Sequence, residues 1–221
     1  MKSYKWKLMN TQQVFTKIYT DKIWGDTGEE FFSGGGSSNS GAYPQMLVEF
    51  IQKNNITNVV DCGCGDFRVM NQVTAKVATL KYHGIDVVNS LIEYNQQKYG
   101  SDQIKFSCIN AINHPLPDGE MIVIRQVLQH LSNRQIKRIL KKTKKFKYVL
   151  ITEHVPSSTF TPNIDKSHGP GIRLDKNSGV LISEAPFNIK CDLILSVPQK
   201  KHGVGKGVFV DTCINTYLVK Q

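Results

Sequence analysis

The sequence lacks any apolar run long enough to cross a bilayer, a leader with an apolar core, and the paired CxxC spacings of a zinc site. Its cysteines are five, an odd number, and Cys62 and Cys64 flank a single glycine. A disulfide framework and a structural metal are therefore not expected, and the composition is typical of a reducing compartment. We predict a cytoplasmic protein with no membrane insertion and no metal.

The chain also has fewer acidic than basic residues, which gives it a formal net charge of +10 over 221 residues. An excess of this size favours anionic partners. Seven of the lysines and arginines fall within residues 137–147, and no aromatic residue is interleaved before Phe146. That pattern indicates a solvated helix face more than a nucleic-acid surface. The length is enough for one α/β domain with a full core.

The most informative segment is an apolar run that starts at Asn58 and ends in a glycine turn. β-Branched residues there predict a buried parallel strand, and Gly63 and Gly65 allow backbone to approach a ligand closely. A second apolar run, residues 80–85, ends in Asp86. An acid about twenty residues after the glycine turn is where a ribose-binding carboxylate belongs. The two segments together predict a nucleoside-binding site.

The third position of the glycine motif distinguishes dinucleotide-binding sites from sites that bind other nucleosides. Arg68 stands where dinucleotide sites have their third glycine, and the acid Asp61 precedes the turn, which suits a cationic ligand better than a phosphate. The pattern resembles motif I and the acidic loop of class I S-adenosylmethionine-dependent methyltransferases. Their cofactor is a nucleoside with a sulfonium and an ammonium group. The resemblance implies S-adenosylmethionine as the cofactor of this chain.

The resemblance also implies which residues contact the cofactor. They are Asp61, Cys62, Gly63, Gly65, Asp86, Val87, Asn110, Ala111 and Gln126. Asn110 stands where many members of the family have an aspartate facing the adenine amino group, and its carbonyl oxygen can still accept from that group. Other landmarks look like those of bacterial methyltransferases found with capsule and surface-polysaccharide biosynthesis. They are Trp24 with Gly25, residues 33–37, residues 125–131, residues 171–173, and Pro186 with Phe187.

Helical and strand patterns alternate along the chain, which predicts parallel strands joined by right-handed crossovers. Helices are predicted over residues 43–53, 67–77, 90–99 and 132–145, and strands from residue 58 and over 80–85, 104–109, 121–124, 148–152, 189–197 and 208–219. The last two strands, joined by the turn 198–207, are expected to form an antiparallel hairpin. The resemblance implies an α/β fold with a Rossmann-like, doubly wound sheet in the order 3-2-1-4-5-7-6.

Two parts of the chain are expected to cover the site. Residues 1–41 are predicted to be an N-terminal extension whose glycine-rich stretch, from Phe31 to Gly41, lies over it. Residues 42–221 are predicted to be the methyltransferase domain. Within that domain, residues 156–186 have little periodicity and are typical of a long functional loop.

Candidate catalytic residues follow from the chemistry of methyl transfer to a hydroxyl, which requires removal of a proton. His130 and His154 each follow a strand at the carboxyl edge of the sheet, where open α/β folds bind ligands, and either can act as the base. Arg173, in the long loop, is predicted to take part in catalysis and to clamp an anionic group of the substrate. Ser37 and His168 are also assigned to the substrate. His83 and His114 are interpreted as structural, and His202 as part of the basic hairpin turn.

Three function classes remain open. The leading one is an O-methyltransferase acting on a small anionic acceptor, such as a sugar, a nucleotide-activated sugar or a phosphate- or phosphoramidate-bearing precursor of a capsular or surface polysaccharide. An acceptor oxygen that is already anionic needs no base. A nucleic-acid methyltransferase is disfavoured, since the Asn/Asp-Pro-Pro-aromatic signature of base methylation is missing. The third class is a cofactor-binding module without catalysis. The oligomeric state is left open.

Overall fold

Strands and helices alternate as predicted in a computed structural model of the chain, which describes residues 6–34, 41–204 and 207–220. The strands are β1 (Asn58–Cys62), β2 (Lys81–Asp86), β3 (Ile104–Cys108), β4 (Met121–Arg125), β5 (Tyr148–Pro156), β6 (Asp192–Gly203) and β7 (Phe209–Lys220). The α-helices are α1 (Thr11–Thr20), α2 (Tyr43–Lys53), α3 (Arg68–Thr74), α4 (Asn89–Tyr99) and α5 (Asn133–Thr143). Short 3-10 helices are η1 (Trp6–Leu8), η2 (Leu128–His130) and η3 (Arg173–Lys176).

The seven strands form one sheet in the order β3-β2-β1-β4-β5-β7-β6, which confirms the predicted Rossmann-like topology. The first five strands pair in parallel, and β7 lies antiparallel between β5 and β6. Parallel pairing places the carboxyl ends of β1, β2 and β4 at one edge of the sheet. In open α/β sheets this edge binds ligands.

Two apolar cores lie on opposite faces of the sheet. Strand β4 contributes Met121 and Val123 to one core and Ile122 and Ile124 to the other, because successive side chains of a strand point to opposite faces. Helices α2, α3 and α4 pack on the first face, and α5 packs on the second. The uninterrupted apolar run of β4 is therefore explained by burial on both sides.

Some element boundaries differ from the prediction for local reasons. Helix α3 begins one residue late, since Phe67 has a left-handed φ of 59°. Strand β5 continues to Pro156, because β7 pairs with it along its whole length. Strand β6 begins later and is longer than predicted, so that most of the basic segment 198–207 belongs to it, and β7 is shifted by one residue.

The turn after β1 is shaped by two glycines in the left-handed region, Gly63 with φ 79° and Gly65 with φ 54°. A Cβ atom on Gly63 would lie 2.3 Å from Cγ2 of Val127, in the segment that follows β4. Gly63 is thus required both by its backbone angle and by the close approach of a neighbouring chain segment.

We expect Gly63→Ala to lower the free energy of unfolding by about 3 kcal/mol, through the left-handed backbone and the contact with Val127. Gly28→Ala is the matched control, because Gly28 has a φ of 81° and a Cβ atom there would meet no described atom within 4 Å. The free energy of unfolding of the control should fall by about 1 kcal/mol, because of the left-handed backbone alone. Urea unfolding measures both values, and equal losses would contradict a packing role for Gly63.

Candidate active site

The carboxyl edge of the sheet lines a cavity of about 160 Å³. The glycine turn forms part of its wall, and the N–H groups of Gly63 and Cys64 donate to the carbonyl oxygen of Ile85 at 2.8 and 3.1 Å. All the residues predicted to contact the cofactor line this one cavity. They are Asp61, Cys62, Gly63, Gly65, Asp86, Val87, Asn110, Ala111 and Gln126.

Asp86 ends β2 and ties that strand to the glycine turn. One carboxylate oxygen accepts the N–H of Gly65 at 3.3 Å, and the other accepts the N–H of Val88 at 3.1 Å. Burial raises the pKa of Asp86, while the backbone donors lower it. Each carboxylate oxygen has two acceptor positions, so the group can still receive hydroxyl donors from a ligand.

Asn110 follows β3 and caps the next turn. Its carbonyl oxygen accepts the N–H of Ile112 at 3.0 Å. The oxygen predicted to face adenine is therefore already engaged with backbone through one lone pair, and its second lone pair and the amide N–H groups are what the side chain can offer a ligand.

Asp61 is the most buried acid of the cavity, with 5% of its surface exposed, and it accepts a hydrogen bond from Tyr82 Oη at 2.8 Å. Burial raises the pKa of Asp61 to about 7, and Tyr82 and Arg125 lower it. The Arg125 guanidinium lies 5.1 Å from the centre of the Tyr43 ring, and both residues line the cavity. Sequence reasoning missed Tyr43, Tyr82 and Arg125, although the position of Arg125 at the end of β4 was an available signal.

Four buried polar atoms in the cavity wall have no hydrogen-bond partner among the described residues. They are Oη of Tyr43, Nε of Arg125, Nε2 of Gln126 and Oε1 of Gln129. Gln126 also has a left-handed φ of 56°. Buried polar groups without partners cost free energy, and backbone strain concentrates at functional sites. The cavity is therefore suited to a polar ligand that supplies the missing partners.

The N-terminal segment covers this cavity. It contributes Thr11, Phe15, Tyr19, Trp24 and Ser33 to the lining. Ser33 Oγ lies 2.8 Å from Tyr19 Oη and accepts the N–H of Asp66 at 2.7 Å, and the N–H of Ser33 donates to the Asp66 carboxylate at 3.0 Å. Trp24 Nε1 donates to the carbonyl oxygen of Pro170 at 3.3 Å. These bonds connect the segment to the glycine turn and to the long loop.

Two buried ionisable residues hold the segment after β4. Glu153 of β5 is fully buried, and its two oxygens accept the N–H groups of Leu128 and Gln129 at 2.9 and 3.1 Å. Burial raises the pKa of Glu153 to about 8, while those backbone donors and Arg173 lower it. Arg173 donates from all five of its N–H groups. The acceptors, at 2.9 to 3.2 Å, are the carbonyl oxygens of Ile164, Leu128, Gln129 and Leu131 and Oδ1 of Asn133.

The predicted substrate roles of Arg173 and His168 do not fit this geometry. Arg173 is 2% exposed, lines neither cavity, and has no N–H left for an anion, so its role is structural. The Nε2–H of His168 donates to the carbonyl oxygen of Met9 at 2.9 Å, and its Nδ1 accepts from Gln135 at 3.1 Å. Both ring nitrogens are therefore used, one to join the long loop to the N-terminal segment and the other to join it to α5. Ser37 lies outside the described residues.

His130 lies at the end of η2 and lines the cavity. Its Nδ1 is 3.3 Å from the carbonyl oxygen of Gly169, which can only accept, so Nδ1 carries the proton. Nε2 is therefore the lone-pair nitrogen, and it accepts from Gln129 Nε2 at 3.4 Å. Burial lowers the pKa of His130 to about 4, and the charge of Lys166 lowers it as well. The imidazole is neutral at physiological pH.

A second cavity, of about 620 Å³, adjoins the first and shares part of its wall. The shared residues are Trp24, Ser33, Gln126, Gln129 and His130. The remaining wall comes from β5, the long loop and the hairpin and includes His154, Asp175, Lys200, Lys201 and His202. The Nε2 of His154 lies 2.8 Å from Thr212 Oγ1, and burial lowers the pKa of His154 to about 4. The two predicted bases thus face the same space.

Comparisons with known proteins agree with this architecture. Residues 59–146 match a family described as a methyltransferase domain. A comparison with curated proteins gave no match.

Several solved structures share the fold at low sequence identity. The N-methyltransferase NodS from Bradyrhizobium japonicum WM9, in complex with S-adenosyl-L-homocysteine, is 12% identical with a TM-score of 0.55 over 80% of this chain and 85% of that one. Human N-acetylserotonin methyltransferase, in complex with SAM, is 14% identical with a TM-score of 0.55 over 95% and 60%. Magnesium protoporphyrin IX methyltransferase from Synechocystis PCC 6803, with bound SAH, is 11% identical with a TM-score of 0.56 over 96% and 100%.

Within residues 6–34, 41–204 and 207–220, no group of three His, Cys, Asp or Glu side chains is placed to hold a metal ion. Nor does this part of the chain contain a helix that is both long and apolar enough to span a membrane.

We expect Arg173→Leu to lower the free energy of unfolding by about 3 to 5 kcal/mol, because it leaves buried carbonyl groups without donors and Glu153 without its counter-charge. Arg173→Lys should lower the free energy of unfolding by less than Arg173→Leu, since an ammonium keeps the charge but has three donors in place of five. Arg134→Ala, on the exposed face of α5, is the control and should change stability by less than about 0.5 kcal/mol. Urea unfolding of the three variants measures these changes. Unchanged stability of Arg173→Leu together with a raised KM for the acceptor would restore the predicted role of Arg173 as an anion clamp.

Proposed function

We propose that this chain is an S-adenosylmethionine-dependent methyltransferase that methylates an oxygen of a small anionic acceptor. The observation that carries the proposal is the first cavity, where a glycine turn, two acids and unpartnered polar atoms meet at the carboxyl edge of the sheet. The methyltransferase-domain match over residues 59–146 and structural neighbours with SAM or SAH bound support it.

The residues of the first cavity fit this cofactor. Asp86 has acceptor positions left for ribose hydroxyls, and Asp61 is an acid suited to a cationic group. Arg125, with an unpartnered Nε, is suited to a carboxylate. Asn110 and Ala111 follow β3 at the position where the adenine would lie. The cofactor, when bound, supplies a methyl group on a sulfonium, and the protein has to bring the acceptor oxygen in line with it.

The second cavity is the proposed acceptor site, because it adjoins the first and has lysines in its wall. In this proposal Lys200 and Lys201 bind the anionic group of the acceptor, which was expected to bind Arg173. A sugar, nucleotide-activated sugar or phosphate-bearing precursor of a capsular or surface polysaccharide suits a positively charged cavity of this size. That identity rests on the charge of the wall and on the sequence resemblance.

His130 remains a proposed active-site residue, with its role narrowed by its surroundings. Its neutral imidazole and low pKa make it a weak base at physiological pH. Its Nε2 accepts from Gln129, whose unpartnered Oε1 can orient an acceptor hydroxyl at the wall shared by the two cavities. An acceptor oxygen that is already anionic would need no base.

Binding of the cationic cofactor should depend on the protonation of Asp61. Because the pKa of Asp61 is raised to about 7, the carboxylate fraction increases between about pH 6 and pH 8, and affinity should increase over that range with release of protons. Tyr82→Phe removes a hydrogen bond that lowers this pKa, so the midpoint should move to higher pH. Titration calorimetry in buffers of different ionisation enthalpy measures both effects. A flat profile would show that Asp61 does not face the bound cation.

The acceptor class can be tested with a panel of sugar phosphates and nucleotide sugars. We expect S-adenosylhomocysteine and a methylated product to be detected by mass spectrometry. Lys200→Ala/Lys201→Ala should raise the acceptor KM about 10-fold or more at unchanged cofactor affinity. Lys141→Ala/Lys144→Ala removes the same charge from exposed positions at the C-terminal end of α5 and should leave KM unchanged.

Other outcomes of the same experiment identify the alternatives. Cofactor binding without turnover of any acceptor would support a non-catalytic module. Tight RNA or DNA binding with a steep salt dependence, lost in the α5 variant, would support a nucleic-acid methyltransferase.

A further inference from the structure

We propose that His202, paired with Asp175, is the general base that takes the proton from an acceptor hydroxyl in the second cavity. The inference rests on the proposed function and adds a residue that the sequence pattern places in a basic turn. It also specifies the acceptor as one whose reacting oxygen carries a hydrogen.

The pair has the geometry of a base and its orienting carboxylate. Nε2 of His202 lies 2.9 Å from Oδ1 of Asp175, and both residues line the second cavity. A carboxylate accepts, so Nε2 carries the proton and Nδ1 has the lone pair in the neutral ring. The His202 side chain is 30% exposed, which leaves it accessible from the cavity. Asp175 belongs to η3, the 3-10 helix that begins with the buried Arg173.

A β-bulge in β6 sets the direction of His202. Gln199 pairs with Thr212 and His202 with Val210, so β6 advances three residues where β7 advances two. The extra residue reverses the alternation of side chains, and a bulge is a common means of re-aiming a side chain next to an active site. Gln199 and His202 line the cavity on either side of this irregularity.

The bulge is held by a hydrogen-bond chain that also fixes His154. Thr212 Oγ1 donates to the carbonyl oxygen of Lys200 at 2.9 Å, which uses its only hydrogen. At 2.8 Å it must therefore accept from Nε2–H of His154. The tautomer of His154, the bulge and the position of His202 are linked through this one hydroxyl.

The other histidines of the cavity are less suited to act as the base. The Nε2 lone pair of His130 already accepts from Gln129, and burial lowers the pKa of His130 to about 4. Burial lowers the pKa of His154 to about 4 as well, and the nearby His202 contributes to that shift. Neither has a carboxylate bonded to it, among the described residues, that would stabilise an imidazolium, whereas Asp175 does so for His202.

The step balances in atoms and charge. The acceptor O–H bond breaks as its proton moves to Nδ1 of His202, and the oxygen forms the new O–CH₃ bond. The electron pair of the S–CH₃ bond stays on sulfur. A sulfonium and a neutral imidazole thus become a thioether and an imidazolium paired with the Asp175 carboxylate, and the imidazolium releases its proton to solvent.

The kinetic test uses the panel acceptor that gives the highest wild-type rate. His202→Ala should lower kcat about 100-fold or more with unchanged cofactor affinity, and added imidazole should restore part of the rate, because the cavity has room for it. His202→Gln, which keeps hydrogen bonding without basicity, should not recover activity. His114→Ala, a histidine that does not line either cavity, is the control. Full activity of His202→Ala, or a loss that imidazole does not repair, would overturn the inference.

A second readout needs no turnover. Long-range ¹H–¹⁵N NMR of the free protein at alkaline pH should show His202 protonated on Nε2 only, and Asp175→Ala should give a mixture of tautomers. Protonation of Nδ1 in the wild type would overturn the inference even if methyl transfer is confirmed. The expected tautomer in a protein that turns over no acceptor would instead place the failure in the proposed function.

Discussion

The active-site edge depends on how Glu153 and Arg173 hold the segment after β4. The carboxyl group of Glu153 accepts the N–H groups of Leu128 and Gln129, and the guanidinium of Arg173 donates to the carbonyl oxygens of the same two residues. A segment leaving a strand has no ladder to satisfy its backbone, so a buried loop of this kind is stable only with such partners. The positive charge of Arg173 also lowers the pKa of Glu153 and so partly offsets the effect of burial on that group.

The position of the segment after β4 affects both cavities, because Gln126, Gln129 and His130 line each of them. The fixed backbone of η2 keeps His130 next to the carbonyl oxygen of Gly169, and this contact selects its tautomer. The N-terminal segment encloses the ring further, with Trp24 at a centroid distance of 5.1 Å and Phe15 at 6.2 Å. Burial keeps the imidazole neutral, so His130 adds a hydrogen-bonding group and no charge to the wall of both cavities.

The two cavities are built by different halves of the sheet. The parallel strands β1, β2 and β4 supply the first, with its acids and glycine turn. The antiparallel hairpin supplies the lysines and His202 of the second, and the bulge in β6 decides which side chains face it. The hairpin and the long loop thus shape the second cavity, whereas the glycine turn and Asp86 belong to the first.

The sequence by itself determined the alternation of strands and helices and the acids and glycines of the first cavity, and its resemblance to class I methyltransferases implied the strand order. Asp61, Gly63, Gly65 and Asp86 sit at strand ends, and parallel strands bring their carboxyl ends together whatever else the chain does. Only the tertiary structure decided the hydrogen-bond partners of Arg173, His168 and His202. Arg173 bonds to residues about forty positions away, and His202 to Asp175 across 27. Whether a polar side chain faces a cavity or a backbone carbonyl depends on such long-range packing, which local patterns do not encode.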